Sequence, residues 1–312
     1  MKKMVSYRFI FYSVLTLAIF WGGHLARPEL SGEFLTSYEL WREPILAGIA
    51  CGLGCALLGI YILLNRIVFV SLALAQGSGL GIFLLFWTCA LVGYHLDHAF
   101  LPFLSGLSMA VCFAVLFSWL RKKQTFSEES LIGLFYVISA GLILIVGDRI
   151  TQGRHDLDNL LFGNAVAVLP QDLILIEVVV GVILLSHLLF QKKFIYVSAD
   201  PIFMQTKGVA TRAWMLFLYL LISLGITVSL KTLGALPVFS LMLIPPFIAL
   251  RSARSIHGAF IISLLIGMFL PPLAYFYSYL FNFPTGASLI LVSLFYLGAS
   301  LAEGALIRPK TA

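Results

Sequence analysis

The chain has 312 residues, of which 61% are hydrophobic and 11% charged, and its formal net charge is +6. A soluble globular domain carries about 25% charged residues, so this composition, with a mean hydropathy of +1.02, excludes one and predicts an all-α polytopic membrane protein. The basic excess is read as flanking of membrane helices rather than as a nucleic-acid footprint, and no nucleic-acid partner is expected.

The N-terminus, Met1 to Arg8 followed by an apolar run to Leu25, has the outline of a signal peptide. No clear small-x-small cleavage site follows Trp21-Gly22-Gly23-His24, so a retained first helix is expected. Residues 1–42 are read as this extra helix and an external loop, and residues 43–312 as the main transmembrane domain. Further apolar runs fall near 44–64, 67–93, 99–120, 130–147, 172–191, 213–232, 233–251, 257–280 and 285–305. With the first, they predict about ten spans, since roughly 20 apolar residues cross a hydrocarbon core about 30 Å thick. Alternating segments of about 10 residues, the mark of a membrane β-barrel, do not occur.

The four cysteines, Cys51, Cys55, Cys89 and Cys112, lie inside apolar runs, where disulfides are not expected. Cys51 and Cys55, one helical turn apart, offer two ligands to a soft metal. The glycines around them, Gly48, Gly52, Gly54 and Gly59, favour close helix packing instead. Pro245-Pro246 and Pro271-Pro272 are expected to kink or break their helices. Lys231 is expected to snorkel to the outer surface.

An inside N-terminus places 15 of the 20 basic residues on the cytoplasmic side, among them Arg66, Lys192, Lys193, Lys207, Arg212, Arg251 and Arg254. That bias predicts a multi-pass protein of the bacterial cytoplasmic membrane with both termini inside.

Two connections are longer than the rest. Residues 148–172 hold His155, Asp156 and Asp158, candidate ligands for a divalent cation, although the spacing matches no standard site. Gln191 to Ala213 is the longest polar cytoplasmic connection. Ser198 or Asp200 is placed to cap a short helix starting at Pro201, which Gly208 would end. A short helix across the cytoplasmic mouth suits a docking partner; a plain amphipathic linker is the alternative. The nucleotide-binding pattern GxxxxGK[ST] is absent, so ATP hydrolysis by that route is not expected here.

Several stretches resemble the metal-type (zinc, manganese and iron) permeases of bacterial ABC importers. Leu58 to Phe69 followed by Ser71, Leu72, Ala73, Leu74, Ala75, Gln76 and Gly81 is similar to that family's L-G-x-x-V-x-R-R-M-x-F-x-G-D-A-L-S-H-x-x-L-P-G. Glu128-Glu129-Ser-Leu-Ile132-Gly133 resembles its E-D-x-x-I-G, and Asp156 to Asn164 its D-L-D-x-x-L-F-G-N. Asp200-Pro201-Ile-Phe203 to Gly208 resembles D-P-x-F-A-x-x-x-G, Leu233 to Pro245 resembles V-G-x-L-L-V-x-A-L-L-x-x-P, and Asn282-Phe-Pro284-Thr285-Gly286 resembles D-x-P-S-G. The resemblance covers roughly residues 40–305.

The resemblance implies a cobalamin/metal-importer-like ABC permease, not itself an enzyme, that holds no cofactor. It implies a second permease copy, an ABC ATPase dimer using ATP and Mg, and an extracytoplasmic substrate-binding protein. Residues 195–212 would then hold the segment that couples to the ATPase, through Asp200, Pro201, Phe203 and Gly208. The cargo implied is a divalent transition metal, zinc or manganese.

The chain departs from the family where cargo would pass. Leu72 and Gln76 stand at the Asp and His of GDALSH, and Asn282 at the Asp of D-x-P-S-G. Leu72, Gln76, Ser78, Asn282 and Glu177 are taken as pathway candidates. A displaced metal site could instead use His187, the cluster His95, Asp97 and His98, or residues 155–158. Gln76 to Gly79 suits either close helix contact or a polar pore lining. The alternative functions are a permease for a metal chelate or other small solute, an ion-coupled secondary transporter and a membrane scaffold.

Overall fold

The computed structural model describes residues 2–93, 100–120, 128–149 and 168–307. Among these, twelve helices and no strand occur: α1 Lys2–Ala26, α2 Pro28–Thr36, α3 Tyr38–Leu64, α4 Val68–Val92, α5 Phe100–Leu120, α6 Glu128–Asp148, α7 Pro170–Ala199, α8 Pro201–Thr206, α9 Thr211–Leu233, α10 Ala235–Ser252, α11 Ile256–Phe281 and α12 Thr285–Ile307. Ten of them are long and apolar enough to cross a membrane; α2 and α8 are too short. Only helices close every backbone hydrogen bond within one segment, as a hydrocarbon solvent requires. The expected all-α polytopic architecture is therefore observed.

Helices α3, α4, α9, α10 and α11 are mostly buried, while α1, α5, α6, α7 and α12 are largely exposed. The central helices approach closely through glycine. A Cβ on Gly52 would enter the Gly267 carbonyl of α11, and one on Gly59 would enter the Met242 carbonyl of α10. Ser263 Oγ donates to the Ala56 carbonyl at 2.8 Å and Ser105 Oγ to the Gly81 carbonyl at 2.6 Å. Small residues bring backbones together where water supplies no driving force between helices.

The proline pairs do not break their helices. Pro245 and Pro246 lie within α10, and Pro271 and Pro272 within α11. Their rings fill the space that glycines leave, with Pro246 against Gly59 and Pro271 against Gly48 and Gly52. Gly234 alone separates α9 from α10. It adopts φ +84, ψ 166, a conformation open essentially to glycine only.

The N-terminal segment, expected as one helix and a loop, contains a second helix. Pro28 opens α2 and Glu29 lies in its first turn, both favourable at a helix start. Phe34 is buried against Phe276, Trp41 and Tyr279. The boundary at residues 42/43 falls inside α3, which starts at Tyr38.

Helix alternation places the ends of α3, α7, α10 and α12 and the starts of α1, α4, α9 and α11 on one face, together with α8. Helix α7 runs past the expected limit at residue 191 to Ala199. Its 30 residues span about 45 Å, about 15 Å more than a bilayer core. An aromatic cluster of Phe190, Phe194, Trp214 and Phe217 supports the extension, and Lys193 Nζ sits 4.6 Å from the Trp214 ring centre. Helix α8 is thus carried beyond the apolar belt.

Candidate functional site: the capped helix α8 and the side chains of α4

Asp200 and Gly208 bracket α8 as the spacing predicts. Asp200 Oδ1 accepts from the Phe203 backbone N–H at 2.9 Å, which fixes the cap on Asp200 rather than Ser198. Pro201 occupies the first turn, where its missing N–H costs nothing. Gly208 adopts φ +74, and its N–H donates to the Gln205 carbonyl at 2.9 Å.

The inner side of α8 is held by buried Met204 and by Gln205 Nε2, which donates to Thr211 Oγ1 at 3.1 Å. Its outer side presents Ile202, 73% exposed, and Phe203, 50% exposed, with Lys207 Nζ 5.6 Å from the Phe203 ring centre. Two uncovered apolar side chains thus stand side by side on a short capped helix.

In α4, Leu72 is half-buried and lies one turn from the end that faces α8, with exposed Phe69 a turn below it. Gln76 is buried. Phe69, Leu72 and Gln76 share one side of the helix by their spacing. Ser78 is spoken for: its Oγ donates to Thr227 Oγ1 at 3.1 Å, and it lies against Gly106 of α5. It therefore acts in the α4–α5–α9 contact.

Asn282 lies at the other face of the bundle. It caps α11 in the left-handed conformation, φ 55 and ψ 40, which asparagine tolerates better than most residues. The fold does not bring it together with Leu72 and Gln76. Glu177 lies on the outward surface of α7 between exposed Ile174 and Val178. His155, Asp156 and Asp158, and His95, Asp97 and His98, lie outside the described residues.

Lys231 does not simply snorkel. Its Nζ pairs with the buried Asp172 carboxylate at 2.9 Å and ties α9 to α7 on the face opposite α8. Lys231→Ala is expected to lower the stability of the purified protein by about 1 kcal/mol, because the lysine is half-exposed and screened. Asp172→Asn added to it should recover most of the loss, since no buried carboxylate then stands unpaired. A thermal melt of the three proteins checks this.

One pair escaped the sequence reading. Tyr61 Oη and His187 Nδ1 lie 2.6 Å apart, both buried, with the His187 ring against Phe260. This hydrogen bond satisfies His187 between α3 and α7. No spacing pattern signals a contact between residues so distant in sequence. Cys51 and Cys55 are fully buried, and Cys55 Sγ faces Ser229 Oγ at 3.5 Å. Among the described residues, no group of three His, Cys, Asp or Glu converges to hold a metal ion.

The sequence pattern of the ABC 3 transport family matches residues 37–303, from the turn before α3 to near the end of α12. The chain belongs to the ABC 3 transport family. The ABC 3 match leaves α1 and α2 outside it. Relatives include the manganese transport system membrane protein MntC of Listeria monocytogenes, 24% identical over 269 residues, covering 80% of this chain and 95% of MntC. The high-affinity zinc uptake system membrane protein ZnuB of Haemophilus influenzae is 27% identical over 218 residues, covering 70% of this chain and 80% of ZnuB. Among solved structures, PsaBC from Streptococcus pneumoniae in complex with Fab superposes with a TM-score of 0.75 at 20% identity, covering 86% of this chain and 94% of that one. The ABC 3 fold is therefore shared with a solved structure.

Proposed function

We infer that this chain is the membrane-spanning permease subunit of an ATP-driven importer for a divalent transition metal, zinc or manganese. The observation that carries the reading is the ABC 3 match across nearly the whole helical bundle, with relatives named for manganese transport and for zinc uptake.

The finer assignments rest on the geometry. A separate ATPase dimer would dock on the α8 face, its grooves receiving Ile202 and Phe203, and ATP and Mg would be bound there. A second permease copy would complete the pathway, and an extracytoplasmic binding protein would deliver the cargo to the opposite face. The α8 face carries Arg66, Lys192, Lys193, Lys207, Arg212, Arg251 and Arg254, all exposed, which supports a cytoplasmic placement with both termini inside. Leu72 and Gln76 would line the candidate passage, where the leucine offers a divalent cation no ligand and the amide of Gln76 a weak one. Selectivity would then fall to the delivering protein.

The test is cellular uptake of radioactive zinc and manganese by cells expressing this chain with an ATPase and binding protein encoded beside it. A control carries an inactive ATPase. ATPase-dependent accumulation of either metal is expected. An assembled complex that hydrolyses ATP and accumulates neither would overturn the bare-metal reading in favour of a chelate.

A further inference from the structure

The segment outside the family match, α1 with α2, is not loosely appended. Tyr12 is fully buried and its Oη pairs with Ser252 Oγ at 2.9 Å, at the last residue of α10. Thr16 pairs with Tyr296 of α12. Arg8 Nε lies 3.8 Å from Oε1 of Glu303, also on α12. Higher up, Tyr277 Oη donates to the Ile19 carbonyl at 2.9 Å and Phe20 stacks on Phe276 at 4.7 Å. At the opposite face, Arg27 Nη1 donates to the Leu280 carbonyl at 3.0 Å. The far side of α1 is apolar and exposed, with Tyr7, Ile10, Val14, Leu17, Trp21 and Leu25 turned outward, as on a helix that faces lipid.

Two points set the α8-side end apart. Ser252 and Glu303 belong to different helices, so α1 bridges the ends of α10 and α12 there. Glu303 is buried, and among the described residues its Oε1 makes no hydrogen bond. At 3.8 Å, Arg8 is a charge partner and not a hydrogen-bond donor. Arg8 is thus the cation that faces the buried Glu303 side chain without being rigidly fixed to it.

We propose that α1 is a clasp that holds the α8-side ends of α10 and α12 together as the transporter cycles, with Arg8 and Glu303 as its latch. The clasp limits how far those ends part when α8 is driven. It rests on the reading of the α8 face as the ATPase side, but its structural arm does not require transport.

The experiment places spin labels at Tyr7→Cys and Leu301→Cys, two exposed positions on α1 and α12, with Cys89 and Cys112 replaced by serine. The assembled complex in nanodiscs is measured by pulsed dipolar spectroscopy, without nucleotide and with a non-hydrolysable ATP analogue. Arg8 intact should give one narrow distance distribution in both conditions. Arg8→Ala and Arg8→Glu should broaden it and lower metal taken up per ATP hydrolysed several-fold. The exchange Arg8→Glu with Glu303→Arg should restore both.

Where Arg8→Ala does not accumulate, Glu303→Gln removes the charge without leaving an unpaired carboxylate and should broaden the distances in the same way. Distributions unchanged by these variants, or an exchange that restores neither readout, overturn the latch. A defect in uptake in the unmodified complex with normal distances strikes the proposed function and leaves the clasp standing.

Discussion

Gly208→Pro is expected to reduce ATP-driven uptake to the level of a control with an inactive ATPase, while the protein still accumulates in the membrane. The physical cause is local. Gly208 has φ +74, and proline is confined near −65°. Its N–H, which donates to the Gln205 carbonyl, would also be lost. The chain after α8 must take another course, so Ile202 and Phe203 leave the positions that a docking groove would require. A dislocation costing about 3 kcal/mol at that contact weakens docking roughly a hundredfold. Folding is spared because Met204 is the one residue of α8 that is buried. Gly208→Ala keeps the N–H and pays only the left-handed penalty of about 1 kcal/mol, so it should show an intermediate loss. The check is uptake measured beside membrane abundance. Normal uptake by an abundant Gly208→Pro protein would remove α8 from the coupling role.

The fold was legible because a hydrocarbon solvent leaves few options. Runs such as 44–64 and 257–280 are long enough to span and carry no acidic residue, and α3 and α11 appear in those places. The signals at α8 were legible for a different reason. A capping Asp200, Pro201 in the first turn and Gly208 past the end act over a few residues, so local sequence contains the whole device.

What escaped depends on distant partners. The extension of α7 to Ala199 rests on Trp214 and Phe217 from α9. Helix α2 forms because Phe34 finds Phe276 and Tyr279 on α11. The proline pairs read as breaks because their own helices lose hydrogen bonds there, whereas the compensating glycines lie on α3. Among the pathway candidates, similarity of motif grouped Leu72, Gln76 and Asn282, but α4 and α11 hold them near opposite faces. Asn282 has a sufficient local reason to be asparagine in its left-handed cap. Hydropathy likewise gave Lys231 to the surface, since the carboxylate that claims it lies 59 residues away.

Gly52→Ala is expected to be strongly destabilising, with a loss of about 3 kcal/mol and little protein recovered in the detergent-folded state. A Cβ at residue 52 meets the Gly267 carbonyl oxygen and carbon, and then the Pro271 ring at 3.2 Å. Backbone cannot rotate away as a flexible side chain can, so α3 and α11 would have to separate. That separation propagates, because the same seam carries Gly48 against Pro271 and the Ser263 hydrogen bond to the Ala56 carbonyl. Each contact depends on the same short interaxial distance, and dispersion attraction falls steeply with added separation.

Gly181→Ala is the control. It lies on the outward side of α7 with nothing within 4 Å of the added carbon, so it should be neutral or slightly stabilising, given the better helix propensity of alanine. Equal thermal stability of Gly52→Ala and Gly181→Ala would show that α3 and α11 are farther apart than described. A large gap between them would show that the packing seam, and not helix propensity, sets the stability of the bundle.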